Sequence, residues 1–381
     1  VRRAVGRMIE QSDIREVALP LTADAAWDSS GWLHGTNREL SRHPQGRRIQ
    51  QRQGVPTIKN LKQLRALLGI NSPRQLGYFL LASDKDGGPY TRFTIPKRDG
   101  ADRVICAPKP QLRWVQRRLL SEILARLPVH AAAHGFVPGR STVTNAAEHQ
   151  GSEILVKFDL RNFFPTIHYY RVLGMFASIG YDGSGARFQS RDDSRQVAPT
   201  LARLCCWTPD PTQWGKAAAP QGAPTSPAIS NIVCRGLDAR LDGLAQALGG
   251  VYTRYADDLT FSFKDQSANL GRFRWWVDQI CHQEGFLVNQ RKFRVIRRSQ
   301  RQTVTGIVVN DVLRVPRPQR RAFRAMLHNC RKHGVASQAR GNASFPDYLR
   351  GFASYIHMVH PEEGRRLLDE VNELLGSDNE S

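Results

Sequence analysis

Hydrophobic residues recur along this chain with two different periods, which predict both strands and helices. Alternating apolar and polar residues predict strands over residues 90–108, 251–263 and 302–309, and the apolar run 153–160 is typical of a buried strand. Apolar residues at helical spacing predict helices over residues 57–68, 111–127, 226–244, 272–281, 318–333, 346–360 and 361–375. Ser72-Pro73 and Ser226-Pro227 each place a capping residue before a proline, the pattern of a helix start. The pattern therefore predicts a mixed α/β (α+β) fold.

Two of the predicted strands deliver carboxylates at one end. Asp257 and Asp258 stand at the predicted tip of the hairpin over residues 251–263, and Asp159 ends the buried strand. Asp is a common turn residue, but two adjacent carboxylates repel each other unless a cation lies between them. Carboxylates on neighbouring strand ends can hold two Mg²⁺ ions about 3.5–4 Å apart, the arrangement used for in-line phosphoryl displacement. The sequence thus predicts a metal-dependent phosphoryl-transfer site.

The charge of the chain indicates a polyanionic partner. The sequence holds 55 Lys and Arg against 34 Asp and Glu, a formal net charge of +21. Each neutralised phosphate releases counterions and adds affinity, so nucleic acid is the expected partner and an anionic membrane surface is the alternative. We find neither an apolar run of roughly 18 residues nor a signal-peptide pattern, which predicts a soluble cytoplasmic protein. The six cysteines include no Cys-x-x-Cys pair, so we expect reduced core thiols.

Residues near the predicted strand ends are candidates for binding a nucleotide. Lys97 and Arg103 flank the turn of the first predicted hairpin, where they could reach a triphosphate or simply form a solvated turn. Phe164 follows Asp159 by five residues, and a bulky ring there would leave no room for a 2′-hydroxyl. Core packing is the alternative for Phe164, and for the neighbouring Phe163 we favour it.

Other polar residues have a functional and a structural interpretation. Gln221 and Gly222 precede a predicted helix, where backbone and amide could approach an incoming nucleotide closely. Lys292 could donate a proton to leaving pyrophosphate, although a surface lysine is equally expected. Asn145 and His149, four residues apart, would share one face of a predicted helix, and alone such a pair is usually a surface or capping feature.

Three further segments differ in composition from the rest. Residues 1–56 are basic and irregular, which predicts an N-terminal arm that either touches nucleic acid or is solvated. Residues 181–200 are rich in Gly, Ser and charge, which predicts a surface insertion or loop. From Val315 on, basic helices predict a region that grips nucleic acid.

An ordered set of motifs resembles the reverse transcriptase family. The motifs lie within residues 60–310 and are Ile95-Pro-Lys97 with Arg103, His134-Gly-Phe136, Phe158-Asp159, Gln221-Gly-Ala-Pro-Thr-Ser-Pro227, Tyr255-Ala-Asp-Asp258, Gly285-Phe-Leu287 with Lys292, and Gly306. Within the family, Asn145-Ala-Ala-Glu-His149 and Val304-Thr-Gly306 match elements that mark bacterial retron reverse transcriptases. The chain therefore resembles that subfamily.

The resemblance implies a right-hand polymerase fold whose palm is built on an antiparallel sheet. The implied domains are an N-terminal arm (1–56), fingers (57–155), a palm (156–310) with a fingers insertion near 181–215, and a helical thumb or RNA-binding region (311–381). By resemblance, Asp159, Asp257, Asp258 and Lys292 are catalytic, and two Mg²⁺ ions bind at Asp159, Leu160, Asp257 and Asp258. The implied deoxynucleotide site comprises Lys97, Arg103, Phe164, Gln221, Gly222 and Tyr255, and the implied RNA-binding residues are Asn145 and His149.

The implied activity is RNA-directed DNA synthesis in a bacterial retron. Such an enzyme binds a structured noncoding RNA, primes on a 2′-hydroxyl of a guanosine in it, and uses dNTPs to make branched, RNA-linked single-stranded DNA (msDNA). Retrons are also associated with anti-phage defence. Residues 1–60 and 311–381 hold no second catalytic motif set, so we expect a separate effector protein.

Other classes of polymerase and RNA-binding protein would show different sequence features. A group II intron-type enzyme normally adds a maturase region after the thumb, for which the residues after Asp311 leave little room, and diversity-generating enzymes usually carry Gln where Pro227 stands. RNA-dependent RNA polymerases typically keep a polar or acidic residue at the position of Phe164. A non-catalytic RNA-binding scaffold would lack a metal aspartate, yet all three candidates are present.

Overall fold

A four-stranded antiparallel sheet carries the predicted aspartates. The structure is a computed structural model that describes residues 53–82, 87–96, 100, 102–181, 196–265, 269–339, 341–342 and 344–377. Its strands are Tyr90–Pro96 (β1), Asp102–Pro108 (β2), Ile154–Asp159 (β3), Gly250–Tyr255 (β4), Asp258–Phe263 (β5), Arg294–Arg297 (β6), Thr303–Val304 (β7) and Ile307–Val308 (β8). The sheet order is β4-β5-β3-β6, and β1-β2 and β7-β8 form separate antiparallel pairs. The fold thus mixes helices with antiparallel sheets, as the sequence predicts.

Helices cover most of the remaining described residues. They are Leu61–Leu68 (α1), Pro73–Leu81 (α2), Pro110–Glu122 (α3), Thr142–Ala147 (α4), Phe163–Thr166 (α5), Tyr169–Ser178 (α6), Val197–Cys205 (α7), Ser226–Val233 (α8), Arg235–Ala247 (α9), Leu270–Gln283 (α10), Arg317–His333 (α11), Val335–Ala339 (α12), Phe345–Val359 (α13) and Pro361–Ser377 (α14). Short 3₁₀ turns lie at Leu124–Arg126, Trp214–Lys216 and Gln290–Lys292. Among the helices of the described ranges, none is long and apolar enough to span a membrane.

The strand β3 lies at the centre of the sheet because its side chains are apolar on both faces. Every residue of β3 is buried except the half-buried Lys157. It pairs with β5 on one side and β6 on the other, and the β5 pairing sets Phe158 opposite Leu259 and Asp159 opposite Asp258. The continuous apolar run therefore fixes the register that places the carboxylates.

Two hydrophobic clusters organise the described chain. The larger cluster contains most of the buried residues between Val55 and Val288, including the core of the sheet. The smaller one joins the C-terminal helices to Ala146 on α4, Leu155 on β3, and the β7-β8 pair. The C-terminal helices thus have a core of their own, which meets the sheet at Leu155. All six cysteines are buried thiols, as predicted.

Several helix boundaries differ from the periodicity for local reasons. The first predicted helix begins at Leu61 rather than residue 57, because the Asn60 side chain accepts a hydrogen bond from the Gln63 N–H and caps it. The predicted helix over 226–244 is two helices, which meet at Cys234 with ψ of 2°. Ser226 is the first helical residue rather than the cap, and its hydroxyl donates to the Pro220 carbonyl at 2.7 Å.

Three other predictions need correction. The predicted strand over 302–309 is the tight β7-β8 hairpin, because Thr305 and Gly306 adopt positive φ values of 47° and 87°. Within 181–200, residues 182–195 lie outside the described residues, but residues 197–200 belong to the buried helix α7 rather than to a surface loop. The predicted arm 1–56 also lies mostly outside them, yet Val55 is core and the Pro56 carbonyl accepts a 2.8 Å hydrogen bond from Tyr181.

Candidate active site

The β4-β5 hairpin and the end of β3 bring the three predicted aspartates together. Tyr255 pairs with Asp258, so Ala256 and Asp257 form a two-residue turn, and Ala256 has a φ of 57° as such turns require. Asp159 pairs with Asp258 across the sheet. The Leu160 N–H donates to the Asp257 carbonyl at 2.9 Å, which ties the turn to the end of β3. The carboxylates therefore lie at one edge of the sheet, as the sequence predicts.

Burial and neighbouring carboxylates make Asp257 and Asp258 resist ionisation. Burial, and after it the neighbouring charges of Asp258 and Asp159, raise the pKa of Asp257 to about 6. Burial also raises the pKa of Asp258, while the nearby Lys157 opposes that shift. The site thus concentrates negative charge that a cation would stabilise.

Asp159 is held by two residues from the segment before β6. The Asn289 amide donates to Asp159 Oδ1 at 3.2 Å, and Lys292 Nζ donates to Asp159 Oδ2 at 2.7 Å. The Asn289 backbone N–H also bonds to the Asp159 carbonyl at 2.7 Å. The hydrogen bond to Asp159 raises the pKa of Lys292, whose side chain stays 56% exposed. Sequence reasoning found Lys292 but missed Asn289, whose only signal is its place in the motif that ends at Lys292.

The donor set fits a hard divalent cation that also binds substrate. Among the described residues, no three His, Cys, Asp or Glu side chains are arranged to hold a metal by themselves. The three aspartates interact electrostatically but do not form a closed cage. Mg²⁺ commonly binds one or two carboxylates and completes its shell with water and substrate phosphates, so an open carboxylate set suits it. Leu160 is buried, so only its backbone lies near this set.

A buried arginine forms hydrogen bonds that hold the β4-β5 hairpin in place. Arg254 is fully buried and donates to both carboxylate oxygens of Asp238 at 2.7 Å. It also donates to Asn231 at 3.1 Å and to the Ala256 carbonyl in the turn at 3.3 Å. Tyr252 donates to Asp238 at 2.9 Å. The sequence signal was a charged residue within an apolar strand, and its role was missed.

A cavity of about 380 Å³ lies between β2 and the segment before α8. Arg103 and Gln221, both predicted to bind a nucleotide, line it together with Asn162, Trp207 and Lys216, which sequence reasoning missed. Lys97 lies outside the described residues. Two guanidinium or ammonium groups at one cavity can bind phosphate oxygens.

The structure shows a packing constraint at Gly222. Its φ is 117°, and a Cβ there would lie 3.0 Å from Ile105 Cγ2 and 3.1 Å from the Cys106 carbonyl. The Gln221 carbonyl accepts a 2.8 Å hydrogen bond from the Cys106 N–H. The close approach to strand β2 therefore requires glycine at this position, and a contact with a nucleotide stays a prediction.

Aromatic rings lie beside the aspartates. Phe164 is half-buried on α5, and Phe163 is buried in the core as predicted. The Phe136 ring lies 6.5 Å from the Phe164 ring and 6.3 Å from the Tyr255 ring, measured between centroids. Phe164 and Tyr255 are both predicted to contact the nucleotide. The Phe136 ring lies next to both of them, although Phe136 was not among the predicted site residues.

Comparison with known proteins identifies the family. The sequence model of the family described as reverse transcriptase (RNA-dependent DNA polymerase) matches residues 95–309. The retron Mx162 reverse transcriptase of Myxococcus xanthus is 40% identical over 340 residues, which cover 84% of this chain and 68% of that protein. This chain belongs to the retron-type reverse transcriptases. It is an RNA-directed DNA polymerase.

Other relatives of this reverse transcriptase extend the comparison. The retron Mx65 enzyme of Myxococcus xanthus is 38% identical over 83% of this chain and 72% of that protein. The retron Ec86 enzyme of Escherichia coli is 29% identical over 84% of this chain and 91% of that protein.

Solved structures resemble the chain at lower identity. A telomerase from Candida albicans, in complex with a fragment of telomeric RNA, has a TM-score of 0.41 and 12% identity. A foamy viral protease-reverse transcriptase in complex with double-stranded DNA has a TM-score of 0.38 and 16% identity. The match covers 82% and 83% of this chain but only 65% and 47% of those chains.

The predicted RNA-binding residues lie inside the reverse transcriptase. Asn145 and His149 are each 1% exposed. Helix α4 ends at Ala147, so His149 lies beyond it rather than on a shared helical face. The two His149 ring nitrogens lie 2.7 Å from Ser262 Oγ on β5 and 2.7 Å from Thr253 Oγ1 on β4. Such side chains have no surface to offer an RNA, and His149 instead joins α4 to the hairpin strands.

One of the two sequence elements that mark retron enzymes, Val304-Thr-Gly306, contacts helix α4, on which the other element begins. Thr305 Oγ1, in the turn between β7 and β8, donates to the Thr142 carbonyl at the start of α4 at 2.9 Å. Ala146 and Val304 are buried in the same hydrophobic cluster. The elements therefore form one junction between the hairpin strands and the C-terminal helices.

Proposed function

We propose that this reverse transcriptase copies a structured noncoding RNA of a retron into branched msDNA, starting from a 2′-hydroxyl of that RNA. The observation that carries the proposal is the contact between Thr305 of one retron element and Thr142 at the start of helix α4, on which the other element begins, in a chain whose three predicted aspartates lie together. The identity to retron enzymes over 84% of the chain supports it. The bound partners would be the noncoding RNA, dNTPs and the DNA product.

We further propose that Asp159, Asp257 and Asp258, with the Leu160 backbone, hold two Mg²⁺ ions. When bound, Mg²⁺ stabilises the charge that develops on the attacking and leaving oxygens of an in-line displacement. The chain's own contribution is to fix the carboxylates, since the β3-β5 register and the Leu160–Asp257 hydrogen bond allow them little movement.

Lys292 is proposed to hold the proton for leaving pyrophosphate. Its raised pKa keeps the ammonium charged, and its side chain is largely exposed beside Asp159. A charged, exposed ammonium can donate a proton to a departing oxygen. The hydrogen bond to Asp159 Oδ2 would fix its position until then.

The deoxynucleotide is proposed to lie between the cavity and the aspartates. Arg103, with Lys97 and the cavity residue Lys216, would bind the triphosphate, and Gln221 would line the same pocket. Phe164 and Tyr255 would pack against the sugar, where the Phe164 ring excludes a 2′-hydroxyl. Asn145 and His149 would affect RNA binding only indirectly, through the junction that they hold.

The domain assignment is also a proposal. Residues 57–155 would form the fingers, 156–310 the palm with an insertion near 181–215, and 311–381 a thumb that grips RNA. Helix α11 supports the last assignment, since Arg317, Arg321 and Lys332 are exposed on it, whereas its Arg320, Arg324 and Arg331 pair with Glu363 and Glu370 of α14. We also propose a separate effector protein and a role in anti-phage defence.

Nucleic acid that co-purifies with the protein from its host tests the proposed function. The sample is separated by size before and after RNase and DNase treatment. A short discrete DNA whose mobility shifts when RNase removes attached RNA is the expected result. If Mg²⁺-dependent synthesis proceeds on generic primed RNA but no such DNA appears, the polymerase stands and the msDNA proposal is overturned.

A further inference from the structure

The loop that carries Phe136 is fixed directly against the catalytic hairpin. The N–H groups of His134 and Gly135 donate to the Arg254 carbonyl at 2.8 and 3.4 Å, and the Gly135 carbonyl accepts from Asn231 Nδ2 at 2.9 Å. A Cβ on Gly135 would lie 2.7 Å from the Ala256 nitrogen, so only glycine permits this approach. The loop therefore cannot shift without moving the turn that holds Asp257.

The other side of the same loop is braced as well. The Arg140 guanidinium donates to the carbonyls of Ala131 and Ala133, the latter at 2.7 Å. The His134 ring lies 3.0 Å from Thr144 Oγ1 on α4. Contacts on both sides of Phe136 thus hold its backbone in place.

Phe136 itself combines two features that core packing does not explain. Its φ is 63°, a conformation that bulky residues rarely adopt, and its side chain is 48% exposed. A ring that only completed the core would be buried, as Phe163 is. The Phe136 ring instead faces solvent beside Phe164 and Tyr255, on the side where the aspartates lie.

We propose that Phe136 packs against the base pair that forms between the template and the incoming deoxynucleotide. The inference rests on the proposed deoxynucleotide pocket and adds a substrate-contacting residue to it. An aromatic ring gives a base or sugar an apolar contact of any sequence, and a ring that is already fixed loses little entropy when it binds. The strained backbone is consistent with this role, because strain of this kind clusters at ligand-binding sites.

Single-nucleotide incorporation on a primed RNA template tests the proposal with Phe136→Ala, Phe136→Leu and Phe136→Tyr. We expect Phe136→Ala to raise the KM for the correct dNTP roughly tenfold, the scale of one base–aromatic contact, with a smaller change in kcat. Phe136→Tyr should restore the wild-type KM, and Phe136→Leu should be intermediate. Thermal unfolding of each variant reports whether a change in KM reflects lost stability.

The matched control is Trp275→Ala on α10, a ring with the same 48% exposure whose aromatic neighbour is Trp276, which should leave the KM unchanged. A KM for Phe136→Ala within twofold of wild type, at equal thermal stability, overturns the proposal. Phe164→Ala is measured in parallel with ribonucleotides. If Phe164→Ala relaxes sugar selection while Phe136→Ala leaves the KM unchanged, the proposed deoxynucleotide pocket is supported and only the role of Phe136 is wrong. If neither variant has an effect, the proposed pocket and the role of Phe136 are both wrong.

Discussion

Asp257 and Asp258 are the residues on which the activity should depend most directly. The variant carrying Asp257→Asn and Asp258→Asn should lose dNTP incorporation, because neutral amides cannot supply the carboxylate charge that would hold the proposed Mg²⁺ ions. RNA binding should remain largely intact, because Lys and Arg provide it. Primer extension and filter binding on the same preparations measure the two properties.

Asp311→Asn gives a control for charge alone. This carboxylate pairs with Arg298 away from the aspartates, so incorporation should persist. Incorporation that survives in the double variant would show that the metal assignment is wrong.

Phe164 should decide between deoxynucleotides and ribonucleotides. Phe164→Ala should raise the kcat/KM for rNTPs relative to dNTPs by roughly 10- to 200-fold, the range for a change of 1–3 kcal/mol in pocket fit. Phe164→Tyr keeps the ring and should keep the discrimination. Competing incorporation of rNTPs and dNTPs measures the ratio, and an unchanged ratio in Phe164→Ala would make Phe164 a core residue only.

His149 should make the stability of the protein depend on pH. Burial lowers its pKa to about 3, from the usual 6.5, so the folded protein keeps it neutral. Below pH 6.5 the unfolded chain takes up a proton that the folded chain excludes, so stability is complete above this pH and falls as pH drops toward 3. The loss from this one residue is about 1.4 kcal/mol per pH unit within that window.

His149→Gln isolates this contribution, because the other histidines remain in both proteins. We expect wild type to lose about 1 kcal/mol more free energy of unfolding than the variant between pH 6.5 and 5.5, because the unfolded-state imidazole is only half protonated at the start of this interval. Urea unfolding at the two pH values measures this difference. Equal losses in both proteins would show that His149 does not stay neutral.

At the scale of elements, the hairpin β4-β5 depends on the ion pair beneath it. Arg254→Gln leaves Asp238 as a buried, unpaired charge and should lower the free energy of unfolding by about 3–5 kcal/mol. Arg298→Gln is the matched control: its partners Glu153 and Asp311 form exposed ion pairs, so the change should be small. Denaturant unfolding compares the two, and a similar effect of both variants would contradict the assigned role of Arg254.

Local backbone strain is concentrated in the elements of the site. Among the described non-glycine residues with positive φ, Phe136, Asn162 and Ala256 lie in the loops next to the aspartates, and Thr305 lies in the turn of the retron junction. Each such conformation costs on the order of 1–3 kcal/mol and persists only when surrounding contacts fix it. The hydrogen bonds around Gly135 and Arg254 supply those contacts at the hairpin.

At the scale of the whole molecule, the net charge of +21 should govern RNA binding. If six to ten phosphates are contacted, affinity should fall by roughly 10³–10⁵ between 50 and 200 mM salt. Arg321→Gln, on the exposed side of α11, should reduce the slope of log affinity against log salt by about one. Titration of the noncoding RNA at several salt concentrations measures this slope, and an affinity independent of salt would contradict a charge-driven grip.

The described part of the molecule has two hydrophobic cores, and the junction of retron elements lies between them. Ala146 and Leu155 belong to the cluster of the C-terminal helices, while the rest of β3 belongs mainly to the larger cluster. Periodicity predicted the helices of both cores, because apolar spacing is a local property. It could not assign helices to one core or the other, because that depends on contacts between distant residues.

The sequence by itself determined the elements, the charge and the aspartates. An apolar run ending in Asp159 and a hairpin holding Asp257 and Asp258 are local patterns, and the ordered motifs were sufficient to indicate the family. The sequence also indicated that Gly222 lies in close contact with another group. It did not indicate that strand β2 makes this contact, because a glycine in a sequence does not show which residue packs against it.

Only the tertiary structure decided which side chains meet. It paired Arg254 with Asp238, placed Lys292 on Asp159, buried Asn145 and His149, and set Phe136 beside Phe164. These contacts join residues from different elements, and both their partners and their burial follow from how the sheet, helices and loops pack. Propensity and periodicity act over a few residues along the chain, so they fix elements and leave such contacts to the packing of the whole molecule.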